Sequence, residues 1–283
     1  MAYKTILTVM SGTDGTAGND LRALEAAVTL ARREDAHLDV LALGIDQTQI
    51  GYFYAGASAM IYQETMDRAQ ADARAVETTV RTRLGREDIR WAVDTAVAQI
   101  GGMAGLIAQR ARFADLTVLA RPYGEGRGPA DEAALEAALF EGKTPVLVMP
   151  AGDIEPPRGD RIVVAWNQSS EALSAVRAAL PMLRRASMVN ITIIDPPAHG
   201  PERSDPGGLL SQWLTRHGVR TEVSVLARTM PRVSDVLARH IRDSAADMLV
   251  MGAYGHSRFR EAILGGATRN MLEQAEVPVL MAH

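Results

Sequence analysis

The chain has 283 residues and a formal charge of −4, from 34 acidic against 30 basic side chains, so it offers no broad cationic field for a phosphate backbone or an anionic membrane surface. Its 47% hydrophobic and 23% charged content is that of an ordinary soluble globular protein of about two domains. The lack of any cysteine excludes disulfide scaffolds, thiolate metal sites and cysteine nucleophiles, and favours a reducing compartment, the cytoplasm.

The first element is a strand at 5–9, overlapping the apolar run 6–10, which is far short of the roughly 18 apolar residues of a membrane span. No later stretch approaches that length, and neither export nor insertion is expected. Gly12, Gly15 and Gly18 follow as an exposed turn or a wide ligand loop. A helix comes next, with Leu21, Leu24, Val28 and Ala31 on one face, then a strand over 38–43. Tyr52, Phe53 and Tyr54 read as packing residues, or as a cover for a cleft or partner surface, before a long helix over 60–84. A third strand at 89–97, a helix at 103–111, a strand at 114–119, a helical run at 130–139 and a strand at 144–149 complete the first half.

The same order then repeats. Strand 161–165 is followed by a helix with Leu173, Val176, Leu180 and Leu183 on one face, a strand at 189–194, a third strand at 219–226, and a helix over 233–245 with Pro231 at its first turn. Ala114-Asp115 and Ala246-Asp247 open matching fourth strands, and Thr144-Pro145-Val146-Leu147 and Val277-Pro278-Val279-Leu280 matching fifth ones. Alternating strands and helices predict parallel α/β sheets covered on both faces. The expected domains are 1–150 and 161–283, with a Gly/Pro-rich linker at 151–160.

In open parallel sheets ligands bind beyond the carboxyl ends of the strands. There the second half places Met251-Gly252-Ala253-Tyr254-Gly255 and, after a nine-residue gap, Gly265-Gly266-Ala267-Thr268 at a helix start. Glycines allow close backbone approach and a helix start presents free N–H groups, so the spacing is a candidate phosphate cradle. His256, Arg258 and Arg260 in the same loop are phosphate partners or solvated side chains. Glu261 is the nearest acid in sequence. Gly142-Lys143-Thr144 imitates the end of a P-loop but runs from helix into strand, the reverse of the required order. The six histidines show no metal-ligand spacing.

The Gly252-x2-Gly255-x9-Gly265 spacing, the strand before it and the closing Val-Pro-Val-Leu strand resemble the universal stress protein family, twice over along nearly the whole chain. That resemblance implies tandem doubly wound domains, each a five-stranded parallel sheet of order 3-2-1-4-5. It implies an adenine nucleotide as ligand, ATP foremost, with or without Mg. Carried over by position, Gly252, Gly255, Gly265 and Gly266 line the phosphates, with Met251 before them and Ala267 and Thr268 beyond. Ala165 and Asn167 sit at the end of the first strand, and the Ile193 backbone meets adenine. Asn167 stands where the family usually has an acid, and Gly266 where it usually has Ser.

In the first half Ala134 occupies the cradle position, among Glu125, Asp131 and Glu132, which repel a triphosphate. That domain is expected to bind no ATP. The resulting expectation is a cytoplasmic stress-response protein that signals through nucleotide occupancy of its C-terminal domain, an interaction scaffold without nucleotide being the alternative and weak ATPase activity a third. Relatives commonly pair through their last strands, so 146–149 and 279–281 are expected to pair as an intramolecular pseudo-dimer, with further homodimerisation open.

Overall fold

The computed structural model describes residues 2–12, 17–46, 58–152, 158–196, 205–253 and 266–283. The chain divides into two compact units, Tyr3–Thr144 and Pro145–His283, the latter joined by Met1–Ala2. The division falls ahead of the 151–160 linker, so the strand that ends the first sequence repeat belongs to the second unit.

The N-terminal unit runs β1 (Thr5–Ser11), α1 (Ala17–Glu34), β2 (His37–Asp46), α2 (Ser58–Leu84), β3 (Arg90–Gln99), α3 (Ile100–Ala111), β4 (Leu116–Ala120) and α4 (Pro129–Glu136), which continues as a π-turn over Ala137–Glu141. Its strands lie in the order β3-β2-β1-β4 and all pair in parallel, with Ile6 opposite Leu38 and Leu116. Strands buried on both faces need apolar side chains throughout, and Ile6, Leu38, Leu43 and Leu116 are indeed fully buried. Helix α2 packs so closely on β2 that a β-carbon on Gly44 would lie 1.9 Å from the Ala69 carbonyl oxygen. Its far end is tied to α1 by Arg83, whose guanidinium grips Glu25 at 2.5 and 2.6 Å and also meets Glu87, which Arg32 shares. The Gly142-Lys143-Thr144 stretch ends the π-turn, Gly142 N–H donating to the Ala137 carbonyl and the Thr144 hydroxyl to the Ala111 carbonyl. The Gly142 N–H and the N–H and hydroxyl of Thr144 are thus spent on helix-end carbonyls.

The C-terminal unit runs β5 (Val146–Met149), β6 (Arg161–Ala165), α5 (Ser170–Leu183), β7 (Met188–Ile194), α6 (Gly208–Arg216), β8 (Thr221–Leu226), α7 (Val233–Asp243), β9 (Met248–Gly252), α8 (Ala267–Gln274) and β10 (Val279–Ala282). The order is β8-β7-β6-β9-β10-β5. The five strands from β8 to β10 are parallel and follow the 3-2-1-4-5 pattern, and β5 adds to β10 antiparallel, Leu147 facing Leu280. Pro231 lies outside α7, before the N-cap Arg232, and not in its first turn.

One device recurs in both units. The Asp115 carboxylate accepts from the backbone N–H groups of Lys4 and Thr5 at 2.7 and 3.0 Å, and Asp247 accepts from those of Asp160 and Arg161 at 3.0 and 3.2 Å. Each aspartate also gives its own N–H to the first residue of the central strand, Thr5 or Arg161. A charged acceptor fixes two strand-entry donors that nothing else in the ladder meets, and it sets the register of the central pair. The repeated Ala-Asp of the sequence is therefore structural.

Candidate ligand cleft of the C-terminal unit

A cavity of about 430 Å³ opens at the carboxyl ends of β6, β7 and β9. Strand β6 contributes Ala165, followed by Trp166 and Asn167, while β7 contributes Thr192 and Ile194, and β9 Met251 and Gly252. Three helices begin around it, supplying Ser169 and Glu171 from α5, Val233 and Ser234 from α7, and Ala267 and Thr268 from α8. Convergent helix starts direct the positive ends of their dipoles toward one volume. Leu237 and Met271 complete an apolar wall.

Of the residues expected from sequence, Ala165, Asn167, Met251, Gly252, Ala267 and Thr268 meet here. Gly266 is the N-cap of α8, while Gly255 and Gly265, with His256, Arg258, Arg260, Glu261 and the Tyr52–Tyr54 cluster, lie outside the described residues. Ile193 is buried but turns its side chain the other way, its Cδ1 lying 3.2 Å from where a β-carbon on Gly207 would stand. Strand alternation gives the cleft Thr192 and Ile194.

Gly252 has a packing reason to be glycine. A β-carbon there would fall 2.6 Å from the Ala172 amide nitrogen and 2.8 Å from the Glu171 carbonyl carbon. The first turn of α5 thus sits directly on the end of β9. That turn is capped by the Ser169 hydroxyl, which accepts from Ala172 N–H at 3.1 Å, and is entered through Gln168 at φ 64°. The Asn167 side-chain oxygen accepts from Ser169 N–H at 3.2 Å, so this amide spends its acceptor on the turn.

Sequence reasoning missed Trp166, Glu171, Thr192 and Ser234. The Glu171 carboxyl is held below the ordinary carboxylate range, first by its own backbone N–H and then by Ser170 and Ser169, against the opposing effect of burial. It is an anion at neutral pH, and its charge offsets the dipole of the α5 start. Beneath the cleft lies a satisfied polar cluster. Asn190 donates to Glu222 at 2.7 Å and to Ser224 at 2.9 Å, and its oxygen accepts from the Thr192 hydroxyl at 2.7 Å and lies 3.2 Å from His240 Nε2. A carboxylate only accepts, so Glu222 fixes the Asn190 amide, and the Thr192 hydroxyl must donate. Burial lowers the pKa of His240 below the ordinary histidine value despite Asp243 and Glu222. Its neutral ring therefore presents Nε2–H to Asn190. Trp166 differs: its Nε1 is buried with no hydrogen-bond partner among the described residues.

The corresponding place in the N-terminal unit holds a cavity of about 30 Å³, lined by Val9 and Ser11 of β1, Leu119 of β4 and Ala134 of α4. The Arg127 side chain, 3% exposed, enters it and meets Asp131 at 2.7 Å. An internal ion pair takes up the room that the other unit leaves open. Among the described residues, no group of three or more His, Asp or Glu is placed to hold a metal ion, and no helix is long and apolar enough to cross a membrane.

A doubly wound parallel domain with its cavity where the strand order reverses belongs to the class of α/β ligand-binding folds. Residues 159–283 match the sequence model of the universal stress protein family. A universal stress protein of Synechocystis sp. is 34% identical over 73 residues, 26% of this chain and 24% of that protein, so the match spans about a quarter of the curated relative. A universal stress protein of Archaeoglobus fulgidus superposes with a TM-score of 0.74 at 16% identity, covering 98% of this chain and 95% of the other. A Pseudomonas aeruginosa UCBPP-PA14 protein gives 0.60 at 15% identity, covering 99% and 92%. At such identities these structures speak for the fold.

Proposed function

We propose that the C-terminal unit binds an adenine nucleotide, ATP foremost, in the cleft at the ends of β6, β7 and β9, and that occupancy of this site is how a cytoplasmic stress-response protein signals. The observation that carries the reading is the convergence of three helix starts on a cavity of about 430 Å³, within the size range of small-ligand sites. The apolar wall suits a base, and the α8 start, with Ala267 and Thr268, suits phosphate oxygens. The N-terminal unit takes no nucleotide in this reading, because Arg127 and Asp131 fill its counterpart.

The reading is of a binding module, with turnover weak at most. Hydrolysis needs a positioned water, a base and usually a metal, and Glu171 is a single carboxylate already engaged by its own helix start. The test is to purify the chain without added nucleotide, denature it and identify what is released by chromatography and mass spectrometry. An adenine nucleotide at up to one per chain is expected. If none is released, and none rebinds at millimolar concentration, the reading fails in favour of a scaffold without nucleotide.

A further inference from the structure

The helix starts around the cleft differ in the charge they present. The α8 start is capped by glycine, Gly266, which brings no side-chain acceptor. At the α5 start the donors are met from within: Ser169 N–H by Asn167, Ala172 N–H by the Ser169 hydroxyl, and Glu171 N–H by the residue's own carboxyl. That carboxyl takes the place an anion takes at an open helix start. It is kept ionised first by this backbone N–H and then by Ser170 and Ser169, with His283 acting last. Hydrogen bonds hold the charge without cancelling it. Glu171 also lines the cleft, and its carbonyl carbon comes within 2.8 Å of the point a β-carbon on Gly252 would occupy. The acid is thus seated against the end of β9, from which the chain continues to α8, the proposed phosphate end.

We propose that Glu171 sets the charge selectivity of the cleft: its carboxylate opposes the phosphates of a bound nucleotide and so weakens ATP relative to adenosine. The assignment rests on the nucleotide reading above and narrows it. The α8 start draws phosphate in, Glu171 pushes it back, and the uncharged part of the ligand is indifferent to the change of sign. A site tempered in this way fills at a higher ATP concentration than the α8 start alone would set.

Calorimetric titration of ATP and of adenosine into the full-length chain, wild type and Glu171→Gln, tests this. The variant keeps the shape of the side chain and removes its charge. Affinity for ATP should rise by about 5-fold or more and that for adenosine should stay level. The unliganded melting temperature should fall slightly, because the α5 start loses its anion. Glu171→Ala removes the same charge with a different side chain and should show the same contrast between the two ligands, so the test survives a poorly folded Glu171→Gln. Equal changes for ATP and adenosine, no change, or a weaker hold on ATP would overturn the assignment and leave nucleotide binding standing. If wild type binds adenosine and only the variants bind ATP, the assignment stands and the nucleoside replaces ATP as ligand. If neither wild type nor the variants bind either ligand, both the assignment and the nucleotide reading fall.

Discussion

Replacing Gly252 by alanine separates two reasons for a glycine at the end of β9. If the residue serves only the approach of phosphate, the unliganded protein should tolerate a methyl group. The structure says otherwise: the added carbon would stand 2.6 Å from the Ala172 nitrogen, 2.8 Å from the Glu171 carbonyl carbon and 3.0 Å from the Ala172 Cα, all backbone atoms. Non-bonded carbon contacts settle near 3.5 Å, so the start of α5 must withdraw by about 0.8 Å. Overpacking of that kind costs about 1–3 kcal/mol, or a drop of about 3–10 °C in melting temperature for a unit of this size. The shift also carries Ser169 and Glu171, which line the cleft, so ligand affinity should fall along with stability. Thermal melts of unliganded wild type and Gly252→Ala provide the assay. An unchanged melting temperature would refute the packing argument and return Gly252 to a role toward ligand alone.

Three other expectations concern charge. Ala267→Glu, at the exposed first position of α8, adds an acid where the helix dipole welcomes one, so stability should hold or rise by about 0.3–1 kcal/mol; ATP should bind at least about 5-fold more weakly through repulsion and adenosine as before, and equal losses for the two would place the phosphates elsewhere. The Glu87 carboxyl is held low chiefly by Arg83, so its stabilisation is complete above the unfolded carboxylate pKa of about 4.3 and disappears as pH falls through the folded value. Urea unfolding of wild type and Glu87→Gln should show a gap at pH 7 that narrows once the pH falls below the unfolded value of about 4.3, and a gap of constant size would contradict the pairing. His240, whose pKa burial lowers, costs nothing while neutral and destabilises as pH drops below the unfolded value of about 6.5; wild type should lose more stability than His240→Gln between pH 7 and pH 5, and parallel curves would speak against a buried neutral ring.

The order of strands and helices was legible because parallel strands buried on both faces read as short apolar runs, and their amphipathic helices as 3.6-residue stripes. The repeated Ala-Asp pointed to a shared structural position, and Asp115 and Asp247 occupy it. Strand Val146–Met149 has no local signal that could assign it to the later unit, since its partner β10 lies over 130 residues away in sequence. In the cleft, Gly252 and the helix-start residues Ala267 and Thr268 were singled out from sequence and line the cavity. Trp166, Thr192 and Ser234 were not, because their exposure to the cavity follows from strand alternation and from where α7 comes to rest. Thr192 and Ile193 are indistinguishable in an unbroken β-branched run, yet only one of them lines the cleft. Glu171 was visible as an acid in a helix first turn, but its place in the cleft depends on α5 lying against Gly252. In the N-terminal unit, acidic residues and Ala134 suggested a poor phosphate site; that Arg127 would fold inward and pair with Asp131 is a tertiary fact.

The central claim is a single nucleotide site in the C-terminal unit, and titration calorimetry of ATP into the nucleotide-free full-length chain tests it most directly. The account predicts saturable binding with one site per chain, unaltered in stoichiometry by Arg127→Ala. Two sites per chain, or no heat and no thermal stabilisation at millimolar ATP, would contradict it.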